Sequence, residues 1–169
     1  MKILYVVPNI NNEGGVARVL AIKTHYLIEK WDYNIDFLTQ NNGSFPQFYN
    51  FNKKIGFHDI ILKRNSIQFL FDYKTKLNHQ IELLKPDVII VCDNGIKAFL
   101  LPFILKTKIP IVLEIHSSLS VVEKENDSIF NLIGTHLSIL FKKFAARSFD
   151  NFVVETAESI KEWNVPDGI

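Results

Sequence analysis

Two adjacent glycines, Gly14 and Gly15, stand directly before a run in which Val16, Val19, Leu20, Thr24, Leu27 and Ile28 recur at helical spacing. A helix that starts there leaves its first N–H groups without intrahelical acceptors and carries partial positive charge at that end, so an anion is a natural occupant. Residues without Cβ atoms let a phosphate approach those N–H groups closely and adopt backbone angles that others resist. A tight turn into the helix would use the same pair. The second candidate is His116, which falls where an apolar run gives out. An imidazole there can donate to a phosphate or hold a hydroxyl near neutral pH, or simply bond a nearby backbone carbonyl. His25, His58, His79 and His136 fall inside helices or strands and read as structural. Cys92, the single cysteine, lies in an apolar run and reads as a buried, inert thiol, in keeping with a reducing compartment.

Several common chemistries are absent from the sequence. The loop Asn11-Asn12-Glu13-Gly14-Gly15-Val16-Ala17-Arg18 lacks the G-x-G-x-x-G spacing of dinucleotide sites, and no G-x-x-x-x-G-K-[ST] occurs. No cysteine or histidine set has zinc spacing, and no D-x-D pair is present to hold a metal against a diphosphate. The expectation is therefore no metal.

The elements that must position these residues alternate along the whole chain. Lys2 to Val7 is a continuous apolar run of the kind buried on both faces of a parallel sheet, and Pro8 stops it. Further strands are expected at 34–39, 57–62, 87–92, 110–116 and 151–155, with helices at about 67–84, 96–106 and 128–149 between them. Thr156 reads as the N-cap of a last helix with Ser159 in its first turn. The aromatic stretch from Phe45 to Lys54 has no period and reads as a packed loop whose aromatics could equally line a sugar site. Strands alternating with helices argue for an α/β fold, an open and mainly parallel sheet with helices on both faces. Ligands in such sheets bind beyond the C-terminal strand ends, where four polar clusters fall: Asn9 to Gly15, Asp93-Asn94-Gly95, His116-Ser117-Ser118 and Glu155-Thr156.

The 169 residues suffice for one domain with its own core, and 47% hydrophobic with 22% charged residues is ordinary for a folded protein. A formal charge of +1 without a polybasic run gives no field to recruit nucleic acid. No signal peptide is visible at the N-terminus, so the expected location is cytoplasmic. The most apolar helix, near 128–149, is broken by Asn131, Thr135, His136 and Ser138, short of a membrane span. Its apolar side with Lys142, Lys143 and Arg147 would suit a peripheral contact at the inner face of the membrane, and packing on another domain would account for it as well.

Four segments carry a resemblance: Lys2 to Pro8 leading into Gly14-Gly15-Val16-Ala17-Arg18-Val19-Leu20; Lys85-Pro86-Asp87-Val88-Ile89-Ile90-Val91; Ile109 to Ser117; and Asp150 to Ala157. In order and spacing they resemble the N-terminal domain of group 1, or family 4, GT-B glycosyltransferases. Glu155-Thr156 replaces a serine-containing pair usual in that family. The resemblance implies a Rossmann-like, doubly wound domain over residues 1–164, with 165–169 starting a crossover to a C-terminal donor-binding domain that this chain lacks.

It further implies a retaining, metal-independent hexosyltransferase that needs no cofactor. A nucleotide sugar would be the donor and a saccharide or lipid-linked compound the acceptor, as in bacterial cell-surface polysaccharide biosynthesis. By the same resemblance Gly14 and Gly15 approach the donor diphosphate, His116 is the catalytic residue beside the transferred sugar, and Asn94, Ser117 and Glu155 meet the acceptor. Half a cleft should turn over substrate poorly, because the second wall that orients the reacting groups is missing. Two alternatives share the topology: a non-catalytic nucleotide- or sugar-binding module, and half of a nucleotide-sugar epimerase, whose usual acidic and arginine-bearing signature the loop Asn11 to Gly15 lacks.

Overall fold

A computed structural model describes residues 1–43, 46–62, 68–116, 129–154 and 156–163. The element order is β1 (Lys2–Val6), α1 (Gly15–Trp31), β2 (Asn34–Gln40), β3 (Gly56–Ile60), α2 (Gln68–Leu84), β4 (Val88–Val91), α3 (Ile96–Phe99), α4 (Leu101–Ile104), β5 (Ile111–Ile115), α5 (Ile129–Ala146), β6 (Asn151–Val154) and α6 (Ala157–Trp163). The strands form one six-stranded sheet in the order β3-β2-β1-β4-β5-β6, with every neighbouring pair parallel. This is the Rossmann-like α/β fold expected from the alternating pattern.

The unbroken apolar run of β1 has a direct cause. Side chains alternate across a strand, so Leu4 and Val6 enter one core with Leu38, Tyr73, Leu77, Val91 and Leu113, while Ile3, Tyr5 and Val7 enter the other with Leu20, Ile28, Ile35 and Phe37. Both faces of the central strand are covered, and neither has room for a polar residue. The carboxylates before β4 and β6 serve the sheet as well. Asp87 Oδ2 accepts from the Lys2 backbone N–H at 2.6 Å, and Asp150 Oδ2 from that of Ile111 at 2.7 Å, so each holds the first N–H of a neighbouring strand.

Two local outcomes, in the 96–106 helix and at Lys142, differ from the sequence expectations, and the described part of the aromatic stretch is the expected packed loop. The helix expected over 96–106 is two four-residue helices, α3 and α4, with Pro102 in the first turn of the second. Proline has no N–H to donate and its ring clashes with the carbonyl four residues back, so it suits the first turn of a new helix and cannot continue the one begun at Ile96. In the aromatic stretch, Phe51 packs edge-on against Phe37, with centroids 5.4 Å apart, and Tyr49 donates its hydroxyl to the Glu13 carbonyl at 2.8 Å. That segment therefore fastens the loop in front of Gly14. On α5, Lys142 is buried rather than directed outward, with Nζ 5.7 Å from the Phe99 ring centre. Desolvation pushes its pKa down, opposed by the charge of Asp93. Among the described residues no helix is long and apolar enough to cross a membrane.

Candidate active site

Strand β1 lies between β2 and β4, and the chain leaves it toward β2 through α1, so the strand order reverses at β1. Loops beyond the C-terminal ends of β1 and β4 diverge at such a point and leave a crevice. Here the crevice is a cavity of about 140 Å³ lined by Pro8 after β1, Val16 in the first turn of α1, Cys92, Asp93 and Asn94 after β4, Glu114 of β5 and His116 just beyond that strand. The topology therefore unites two residues singled out from sequence, His116 and Asn94, with the first turn of α1. Ser117 and Glu155 lie outside the described residues, as do residues 165–169.

Gly14 is the N-cap of α1, with φ −66° and ψ 153°, an extended conformation open to any residue. The unusual backbone angles anticipated for the pair are not needed, and what remains is close approach. A Cβ on Gly14 would lie 2.9 Å from Asn12 Oδ1, which accepts from the Gly14 N–H at 3.0 Å, whereas a Cβ on Gly15 would enter open space. No side chain caps α1 and no acidic residue stands in its first turn. A 17-residue helix thus presents its positive end beside the cavity without an internal counter-charge.

Across the cavity stand Glu114, in β5, and His116, directly after the end of that strand at Ile115. Their side chains are 6% and 8% exposed, and His116 Nε2 lies 3.0 Å from Glu114 Oε1. The other carboxylate oxygen, Oε2, accepts from Lys23 Nζ of α1 at 2.6 Å. Burial pushes the Glu114 pKa up, but the neighbouring His116 and Lys23 outweigh it and hold the group below its ordinary value. A carboxylate that stays ionised beside an imidazole holds the ring's orientation.

Cys92 completes the cluster as a thiol, because burial raises its pKa well above the ordinary value and the Glu114 charge raises it further. Tyr5 is affected in the same direction, by burial first and then Glu114, and its hydroxyl has no hydrogen-bond partner among the described residues. One ligand atom each of Cys92, Glu114 and His116 lie within 4.8 Å of one another, a donor set compatible with a soft divalent cation. The Lys23 ammonium already supplies positive charge to Glu114, however, and would repel such an ion. The cluster therefore reads as an ion-paired support for His116. Sequence reasoning passed over Glu114, although a carboxylate inside the apolar strand IVLEI is the kind of exception that requires a buried partner. Nothing local pointed to Lys23.

No protein-family model matches the chain, and no curated protein matches it in sequence. Solved structures do match in fold. The lipopolysaccharide outer core galactosyltransferase WaaB in its apo form aligns with a TM-score of 0.66 at 14% identity, over 98% of this chain and 43% of that one. Sucrose-phosphate synthase from Thermosynechococcus elongatus gives 0.65 at 10% identity, over 99% and 46%. The fold is glycosyltransferase-like. A UDP-GlcNAc 2-epimerase from Methanocaldococcus jannaschii shares it, with a TM-score of 0.61 at 12% identity over 97% and 42%. The chain spans less than half the length of each of these structures.

Proposed function

We propose that this chain is the acceptor-binding half of a retaining, metal-independent glycosyltransferase, with residues 165–169 beginning the crossover to a donor-binding domain. The observation that carries this reading is the facing of two groups across one cavity at the strand-order reversal: the uncapped N-terminus of α1 behind Gly15, and the His116–Glu114–Lys23 chain. The helix end meets the donor diphosphate and offsets the charge that grows on the departing nucleoside diphosphate, in place of a cation. His116, held by Glu114, meets the transferred sugar or its phosphate. Asn94, on the same cavity wall, meets the acceptor, with Ser117 and Glu155 as further acceptor contacts.

The assignment extends to a cytoplasmic enzyme of bacterial surface-polysaccharide assembly, working on a saccharide or lipid-linked acceptor at the inner membrane face. Exposed Leu137, Leu140 and Phe144 on α5, with Arg147 nearby, support the membrane contact.

The test compares this chain with a reading frame extended through a second domain, each mixed with a panel of nucleotide sugars and assayed for released nucleoside diphosphate. Release by the extended protein alone is the expected result. The fold shared with an epimerase favours a second reading, half of a nucleotide-sugar epimerase, and that enzyme would return an epimerised sugar without an acceptor. Nucleotide binding without turnover by either protein would mark a binding module instead.

A further inference from the structure

The outward side of α1 carries a pattern that packing on the sheet does not require. Ala17, Leu20, Ala21, Thr24 and Ile28 are buried, whereas Arg18, Val19, Ile22, Tyr26 and Glu29 recur at three- and four-residue steps along the exposed side. Val19, Ile22 and Tyr26 are 38%, 64% and 56% exposed, and the charged residues stand exposed at either end of them. Among the described residues no carboxylate pairs with Arg18. Glu29 spends one carboxylate oxygen on Asn52 Nδ2 at 2.8 Å.

These two charges are placed against the helix itself. Arg18 stands in the first turn of α1 and Glu29 in the last, the ends at which the macrodipole disfavours a cation and an anion respectively. A local preference broken at both ends points to a contact outside the helix. That contact is not the cavity beside His116, because Arg18 lines a separate groove of about 320 Å³, with Ala21, Ile22 and His25 on its own side and Tyr49 and Asn50 across it.

A stripe that runs from a cation through an apolar centre to an anion is complementary to its own reverse. We propose that it is a homodimer interface, in which α1 of one copy lies antiparallel to α1 of a second copy about a two-fold axis beside Ile22. Arg18 of each copy then faces Glu29 of the other, and Val19, Ile22 and Tyr26 of both fill the space between. Arg18 and Glu29 stand about 16 Å apart along the axis at 1.5 Å per residue, so both ion pairs form together only in this orientation; a parallel pair would set Arg18 against Arg18. The interface uses the helix on one side of the sheet and leaves α5, which packs on the other core, free. It does not depend on the transferase reading.

The experiment is sedimentation equilibrium of the chain over a concentration series. A monomer–dimer equilibrium is expected, with Kd on the order of 10⁻⁵ M, since a single helix pair makes an interface at the small end of the specific range. Arg18→Glu and Glu29→Arg should each weaken the dimer about tenfold, because each sets like charges opposite one another twice per dimer. Both substitutions follow the helix dipole and lie at exposed positions, so thermal unfolding should be unchanged or raised. An equimolar mixture of the two variants should associate as tightly as the unaltered chain, each copy supplying the charge that the other lacks. A chain that is monomeric at every concentration, a dimer that both single variants leave intact, as contact through α5 would, or a mixture that fails to associate would overturn the proposal.

Discussion

Lys23 on α1 and Glu114 on β5 stand 91 positions apart in sequence and meet with Nζ 2.6 Å from Oε2. The pair ties the helix whose N-terminus faces the cavity to the strand that leads into His116, so one carboxylate sets the spacing of both walls. The Lys23 side chain is 35% exposed, which lets water share its charge and moderates what the pair contributes to stability.

Replacing Glu114 by Gln should destabilise the chain at pH 7 by about 2 kcal/mol, the scale of a hydrogen bond to a charged group. The folded-state pKa of Glu114 lies below its ordinary value, so its contribution is complete above the ordinary glutamate value of 4.5 and disappears as pH falls through the lowered folded value. Urea denaturation between pH 7 and pH 3 should therefore show a smaller loss of stability on acidification for Glu114→Gln than for the wild type. Equal losses would show that another carboxylate dominates.

Under the transferase reading, His116→Ala in the two-domain protein should lower turnover by about 10² or more, the range of a positioned acid–base or polar group. Glu114 keeps its bond to Lys23, so thermal unfolding should change little. Unchanged turnover would remove His116 from the reaction.

Gly15→Ala separates folding from binding. The added methyl meets nothing within 4 Å, and alanine is favoured over glycine in a helix by up to about 1 kcal/mol, so the melting temperature should hold or rise. Calorimetric titration with UDP should nevertheless show weaker binding, because the methyl occupies the approach to the α1 N-terminus. Undiminished affinity would place the diphosphate elsewhere.

Gly56 in β3 tests packing far from that cavity. Any Cβ there would collide with Asp36 Oδ1 and crowd His58 Nε2, which lies 3.0 Å from the same carboxylate oxygen; Asp36 also pairs with Lys2 at 3.2 Å. Gly56→Ala should cost about 1–3 kcal/mol in urea denaturation, the usual range for forcing a group into filled space. No loss would mean that the strand edge yields.

Much of the fold was legible because burial leaves a period in sequence. The continuous run of Lys2 to Val7 and the helical spacing of Val16 to Ile28 are local records of which faces are covered, and alternating units of this kind close into few topologies. The Thr156 cap was legible from residue type, since a hydroxyl before a helix can take one of its free N–H groups, and its Oγ1 accepts from the Ser159 N–H at 3.2 Å. Lys142 was misread because a long side chain can lie against the core with its ammonium over an aromatic ring, which composition does not reveal.

By itself the sequence determined the order of strands and helices, and with it which loops share the C-terminal edge, since both follow from local hydrophobic spacing and chain direction. Only the tertiary structure decided which side chains meet there. The pairing of Lys23 with Glu114 and the approach of His116 to Asn94 across one cavity both depend on the order β3-β2-β1-β4-β5-β6 and its register. Contacts between residues so far apart in the chain are set by how the sheet assembles, and no local pattern of residue types encodes that.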